Sequence, residues 1–143
     1  MGWTHHWQRE TELPAPAFTQ AVEDCSRILG NVNIPLAGPD GNGTPIFRPD
    51  VLAFNGAQPR SCERFEIHQV EFDRHGRRIV RSFCKTERLP YDLCVQLALI
   101  VFKHHLGDAL QVGSDGSDED WQTARNKCQE VASYAMDFQL SPK

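Results

Sequence analysis

The sequence lacks three features that would each point to a familiar class of protein. It has no pair of cysteines spaced CxxC, and its five cysteines are widely spread, which excludes a zinc ribbon and a thioredoxin-type motif. Its longest apolar run, residues 97–102, is far too short to cross a bilayer, so no membrane partner is expected. Its net charge of -4 argues against general nucleic-acid binding, which draws on clustered basic residues.

Recognisable targeting and cofactor motifs are also missing. The first ten residues lack the basic start and apolar stretch of a signal peptide, and His6 stands where a myristoylation signal has Ser or Thr. The glycine-rich loop at residues 35–43 lacks the phosphate-binding GxxxxGK[ST] pattern, so no cofactor is expected. Cysteines of this kind serve as small apolar groups in a reducing compartment, and we therefore expect a cytoplasmic protein.

The length of the chain and its hydrophobic pattern predict a single α+β domain over residues 1–143. We expect a mixed or antiparallel sheet packed against three helices. The predicted helices cover residues 17–29, residues 91–106 and a segment that begins at Trp121. The predicted strands cover residues 2–8, 51–55, 62–72, 79–85 and 109–112.

Two of these elements determine where a site is expected. Residues 91–106 are apolar on nearly every side, which indicates a helix buried at the centre of the fold. Residues 62–72 and 79–85 flank a turn and are interpreted as an antiparallel hairpin. In the first of these strands Glu63 shares a face with Phe65 and Ile67, so its carboxylate needs a partner.

Lys85, at the end of the second strand, is the candidate partner of Glu63. Two interpretations follow: a structural ion pair at the end of the sheet, or a polar pocket made of Asn55, Glu63, Lys85 and Thr86.

The junction between this strand and the buried helix is the predicted ligand site. Free N–H groups at the start of the helix, together with Lys85 and Arg88, would suit an anion such as a phosphate. Asp92 in the first turn competes for the same positive end. The predicted ligand-binding residues are Asn55, Glu63, Lys85, Thr86, Arg88, Tyr91 and Asp92.

Other chemistry has weaker support in the sequence. The pairs His5–His6 and His104–His105 have no recognised metal-ligand spacing, so no metal site is predicted. Cys84 with a histidine and Asp92 matches no cysteine-hydrolase signature, and no catalytic residue is assigned. The basic cluster of Arg74, Arg77, Arg78 and Arg81 is interpreted as a solvated hairpin or a contact for an acidic partner.

A series of short motifs carries a resemblance along nearly the whole chain. They are GWT at residues 2–4 with Trp7, FNG at 54–56, CERF at 62–65, FCKT at 83–86, PYD at 90–92, KHH at 103–105, and SDG at 114–116 with Trp121. In this order they resemble a family of small, functionally uncharacterised proteins of bacteria and phages. The resemblance implies a phage or mobile-element protein that blocks or sequesters host machinery, for example by holding nucleotide-derived immune signals.

We therefore predict a non-enzymatic binding protein that takes an anionic, nucleotide-like small ligand or a protein partner. One alternative is a small hydrolase with a pocket around Lys85, Asp92 and His104 or His105. The other is a purely structural interaction protein, which would show an exposed apolar patch or an extensive homo-oligomer interface.

Overall fold

Three helices and seven strands make up the regular structure of residues 3–142, the part of the chain that the computed structural model describes. The helices are α1 (Ala15–Leu29), α2 (Asp92–Leu106) and α3 (Gln122–Ala132). The strands are β1 (Thr4–Glu10), β2 (Leu36–Ala37), β3 (Ile46–Arg48), β4 (Val51–Gly56), β5 (Phe65–His68), β6 (Ile79–Lys85) and β7 (Leu110–Ser114). The expected α+β class is confirmed.

Helix α2 lies at the centre, as its apolar sequence predicts. Ten of its fifteen residues are buried, and α1 and α3 both pack against it. Helix α1 begins two residues earlier than predicted, at Ala15, because Pro14 caps it and Pro16 fits its first turn. None of the helices of residues 3–142 has the length and apolar character needed to cross a membrane.

Every strand pair is antiparallel, and the strands form two sheets where one was expected. The first sheet has the order β6-β1-β7, and in the second β4 pairs with β2, β3 and β5. The middle strand β1 buries alternate residues, His5, Trp7 and Arg9, against the core. The predicted first strand, residues 2–8, corresponds to β1, and its Gly2 lies outside the described residues.

The predicted hairpin is wrong. Strand β6 has the predicted bounds, but it pairs with β1, and the other half of the hairpin contracts to β5, which pairs with β4. The turn between them does form, with the Asp73 carboxylate accepting from the N–H groups of His75 and Arg77. Alternation shows which face of a strand is buried, but it does not name the neighbouring strand.

The chain closes with a short 3₁₀ turn, Glu119–Trp121, and helix α3. Ahead of the turn, Asp120 Oδ2 accepts hydrogen bonds from Ser117 N at 2.8 Å and Ser117 Oγ at 3.1 Å. The helix ends at Ala132, because Ser133 adopts a left-handed conformation. Ala135 is buried beyond the end of this helix.

Candidate functional site

Two of the predicted ligand-binding residues, Thr86 and Asp92, are joined inside the protein. Thr86 Oγ1 donates to Asp92 Oδ1 at 2.5 Å, and His5 Nε2 lies 2.6 Å from the same oxygen. On the other side of the ring, His5 Nδ1 lies 2.8 Å from Ser114 Oγ, which also accepts from Gly116 N. We call His5, Thr86, Asp92 and Ser114 the buried polar cluster. It ties β1 and β7 to the start of α2.

The buried polar cluster has the order of a Ser-His-Asp triad, but it is closed to a substrate. His5 is 0% exposed and Ser114 only 3%, and the rings of Trp3 and Trp121 meet the His5 ring edge-on. A carboxylate accepts hydrogen bonds and cannot donate them, so His5 Nε2 carries the proton toward Asp92. The cluster satisfies buried polar groups, which is a structural role.

Sequence reasoning missed His5 and Ser114 as partners of Asp92. They stand 109 residues apart in the chain, and nothing near either one signals the contact. Only the pairing of β1 with β7, which sets His5 opposite Ser114, brings them together.

Lys85 and Arg88 lie at the surface beside carboxylates. Lys85 Nζ is 3.4 Å from Glu87 Oε1, and Arg88 Nη2 is 3.7 Å from Asp120 Oδ1. The Arg88 guanidinium also stacks 3.5 Å above the Trp3 ring. Lys85 and Arg88 therefore lie at the surface of the junction, away from the Asp92 carboxylate. That carboxylate already accepts a hydrogen bond from Thr86.

The expected ion pair between the Glu63 carboxylate and the Lys85 ammonium is wrong. Glu63 Oε1 accepts from the main-chain N of Lys85 at 2.8 Å, and Glu63 N donates to Lys85 O at 3.1 Å. Tyr91, which is 1% exposed, donates its hydroxyl to Glu63 O at 2.6 Å. Burial raises the pKa of Tyr91, so the phenol stays protonated and acts as a donor. Glu63 precedes β5 and is exposed, so its carboxylate turns to the neighbouring main chain.

Asn55 is a loop anchor. It is 3% exposed, and its Nδ2 donates to the carbonyls of Pro39 and Cys62 while its Oδ1 accepts from Gly56 N and Cys62 N. Asn55 and Glu63 do line one surface cavity of about 500 Å³, together with Phe83. Lys85 and Thr86 do not line it, so the expected four-residue polar pocket is not formed.

The pocket of the hydrolase alternative, which joins Lys85, Asp92 and His104 or His105, is not formed. Asp92 begins α2 and His104 lies in its last turn, so a helical rise of 1.5 Å per residue separates them by roughly 18 Å. The His104 ring stacks on Tyr134 at 3.8 Å, and His105 Nε2 lies 2.7 Å from Asp24 Oδ2.

The Cys84 thiol is unsuited to act as a nucleophile. Burial raises the pKa of the Cys84 thiol well above its usual value, which disfavours a nucleophilic thiolate. Across residues 3–142 no group of three or more His, Cys, Asp or Glu side chains is arranged to hold a metal ion.

One open surface lies along β6. Phe83 is 68% exposed and borders both the cavity at Asn55 and a groove of about 420 Å³. We call the second of these the β6 groove. Its floor is Trp7, and its two walls belong to β6 and to the chain around β5. The wall residues are Arg81, Ser82 and Phe83 on one side and Arg64, Glu66, His68 and Glu71 on the other.

The charges of the β6 groove are balanced along one wall only. Glu66 lies between Arg64, at 3.5 Å, and His68, at 2.8 Å, and Glu71 is 3.1 Å from the buried Arg9. On the opposite wall, Arg81 has no carboxylate within 4.0 Å in the described part of the chain.

Most of the basic cluster predicted from the sequence lies next to the β6 groove. Arg77, Arg78 and Arg81 line a further cavity of about 490 Å³ with Asp73. The β6 groove therefore leads from an exposed aromatic ring to a group of arginines.

Comparison with known proteins adds no relative, since no family model, curated protein or solved structure matches the chain. The resemblance to small bacterial and phage proteins stays a prediction.

Proposed function

We propose that the protein is a non-enzymatic binding protein and that it binds a protein partner through the surface around Phe83. The observation that carries the proposal is the exposed ring itself. An aromatic side chain that is 68% exposed gains little by packing in the free protein, and aromatic residues and arginines are the typical anchors of protein interfaces. Here Arg64 and Arg81 line the same groove as Phe83.

The shape of the surface favours a protein partner over a small ligand. Small-ligand sites are concave pockets that enclose most of their ligand. The cavity at Asn55 and the β6 groove are both lined by Phe83 and Arg64. They therefore form one elongated surface. Such a surface suits a macromolecule that contacts both the Asn55 cavity and the β6 groove and covers the Phe83 ring between them.

The charge of the surface indicates that the partner is acidic. Arg81 lies where the β6 groove meets the cavity of Arg77 and Arg78. Guanidinium groups pair with carboxylates through two parallel hydrogen bonds, so Arg77 and Arg81 suit Asp or Glu side chains of the partner, whereas Arg78 already lies 3.4 Å from Glu10.

One observation favours a second candidate, the anionic, nucleotide-like ligand. Three arginines around one cavity could hold phosphate oxygens, and Phe83 could stack on a base. This ligand would use the arginine cavity in place of the helix start that the sequence predicts.

The biological setting is part of the proposal. The five cysteines are free, and their reduced state suits the cytoplasm. A protein of phage or mobile-element origin that sequesters a host component, as the resemblance implies, would need a binding surface of this kind and no catalytic group.

A thermal-shift screen tests the proposal with two sets of probes. One set is short acidic peptides that contain an aromatic residue, and the other is ATP and cyclic dinucleotides. A ligand at a hundred times its dissociation constant should add about 2.7 kcal/mol of stability. Peptide-induced shifts support the protein partner, shifts caused only by nucleotides support the second candidate, and no shift with either set contradicts both.

Matched variants locate the binding surface. Phe83→Ala should abolish the shift, whereas Phe72→Ala should leave it unchanged, because Phe72 is also exposed, at 80%, but lines neither the Asn55 cavity nor the β6 groove. Equal loss in both variants would show a nonspecific apolar contact and contradict the assignment of the surface.

A further inference from the structure

The main chain of β6 exposes hydrogen-bonding groups to the β6 groove. Lys85 N donates to Glu63 Oε1 and Lys85 O accepts from Glu63 N, so both main-chain groups of Lys85 point away from β1. Thr86 N, one residue later, donates toward β1, to Trp3 O at 2.9 Å. Because these directions alternate along an antiparallel strand, the main-chain groups of Arg81 and Phe83 also point away from β1, into the groove.

The facing strand repeats this arrangement on the opposite wall. His68 N points away from β4, where it donates to Glu71 Oε2 at 2.8 Å, and Gln69 N points back, donating to Asp50 O at 2.9 Å. By the same alternation the main-chain groups of Glu66 face the groove. Within residues 3–142 the main-chain groups of Arg81, Phe83 and Glu66 that face the groove have no hydrogen-bond partner.

The groove has room for a short length of extended chain. A residue in a sheet occupies roughly 160 Å³, which is the product of a rise of about 3.3 Å along the strand, a strand spacing of about 4.8 Å and a sheet thickness of about 10 Å. The β6 groove, at about 420 Å³, therefore holds between two and three such residues. The contact of Glu63 with Lys85 closes one end, and the other end opens toward the arginine cavity.

The side chains around the groove define the sequence that fits. Phe83 and Arg81 point outward from β6, so a paired strand meets them with an apolar residue and an acidic residue. Trp7, which is 2% exposed, forms the floor, so the residue between these two must have a small side chain.

We propose that the β6 groove receives an extended, acidic segment of a protein partner, which adds as a strand to the free edge of β6. Pairing of the main chain supplies affinity, and the two outward side chains supply specificity, as in other cases of strand addition. This inference rests on the proposed function, because it names the conformation of the partner at the same surface.

The test begins with selection of short peptides from a random displayed library on the immobilised protein. The peptides that bind should share an acidic residue and an apolar residue separated by one small residue. In copies of the selected peptide that each carry one N-methylated amide, the effect on affinity should alternate along the peptide. Methylation at every second position should lower the affinity about tenfold or more. If N-methylation has the same small effect throughout, the strand pairing is refuted, while loss of binding in Phe83→Ala would still support the proposed function.

Proline variants test the main-chain direction from the protein side. Arg81→Pro removes an N–H that faces the groove and should leave the fold intact, because proline is tolerated where an edge strand has no ladder bond. It should bind the selected peptide about tenfold more weakly than Arg81→Ala, which removes the same side chain but keeps the N–H. Ser82→Pro removes an N–H that faces β1 and should destabilise the protein.

Each contrary result has a distinct meaning. Unfolding of Arg81→Pro, or peptide affinity equal to that of Arg81→Ala, overturns the strand pairing. A dimer of the protein alone that Arg81→Pro dissociates shows that a second copy occupies the groove, and this overturns the inference of a separate partner. If no peptide is selected, the inference fails, and the nucleotide arm of the thermal-shift screen then decides what the surface binds.

Discussion

Replacing Phe83 by serine should separate stability from binding. The ring is 68% exposed, so about a third of it is buried in the free protein. Since full burial of a phenylalanine contributes roughly 1.5–3 kcal/mol, this third accounts for about 0.5–1 kcal/mol. We expect Phe83→Ser to lower the free energy of unfolding by no more than this, while it abolishes binding of the selected peptide.

A core phenylalanine provides the matched control. Phe65 is 0% exposed and packs against both Trp7 and Phe54, so Phe65→Ala should lower the free energy of unfolding by about 3–5 kcal/mol. Both variants can be measured by urea denaturation followed through tryptophan fluorescence. A loss above about 2 kcal/mol in Phe83→Ser would show that the ring is retained for packing, which would refute the reasoning that it is an interface anchor.

The remaining predictions concern the interior. Asp92→Asn should lower the free energy of unfolding by roughly 2–4 kcal/mol in urea titrations, because it weakens the buried polar cluster. It should leave the affinity for the selected peptide unchanged. A loss of stability below about 0.5 kcal/mol would contradict the structural role of Asp92. Burial alone would raise the pKa of Asp24, but hydrogen bonds from Tyr134 and His105 outweigh it and hold that pKa below its usual value. Asp24→Asn should therefore be less stable than the parent protein above about pH 4, with the difference lost as pH falls through the folded-state pKa; a difference that grows in acid would reverse the sign. A thiol reagent should label Cys62 first and the four buried cysteines only on unfolding, which mass spectrometry after timed quenching can follow; early labelling of any of the four would show that its site opens.

The sequence predicts individual elements well where a local pattern determines them. Helix α2 follows from an apolar run that leaves no polar face, and β6 follows from alternation between a turn and a proline-containing junction. Both signals lie within the element itself, so neither depends on what the element packs against.

The partners of these elements could not be predicted in the same way. Strand β6 pairs with β1, whose residues lie more than 65 positions earlier in the chain, although the strand on the near side of the turn is much closer in sequence. Alternation is the same whichever strand lies alongside. The preference for short connections favoured the hairpin, but the two segments keep the turn at Asp73 and contacts at Glu63 and do not pair as strands.

The candidate site, like the fold, could be predicted only in part from the sequence. The sequence drew attention to the segment around Lys85, Thr86 and Asp92, but the use of each side chain depends on residues far along the chain. Thr86 and Asp92 belong to an internal cluster because His5 arrives from β1. The exposed surface beside Phe83 was not predicted, because it exists only where β5 and β6 fail to pair.

Amide hydrogen exchange of β6, followed residue by residue by NMR, shows whether the strand has a free edge at the β6 groove. In the free protein the amides of Arg81 and Phe83 should exchange rapidly, while those of Val80, Ser82 and Cys84, which face β1, should be protected. On addition of the selected peptide, Arg81 and Phe83 should become protected as well. Protection of all five amides in the free protein would show that β5 and β6 already pair, and it would contradict a free edge at this groove.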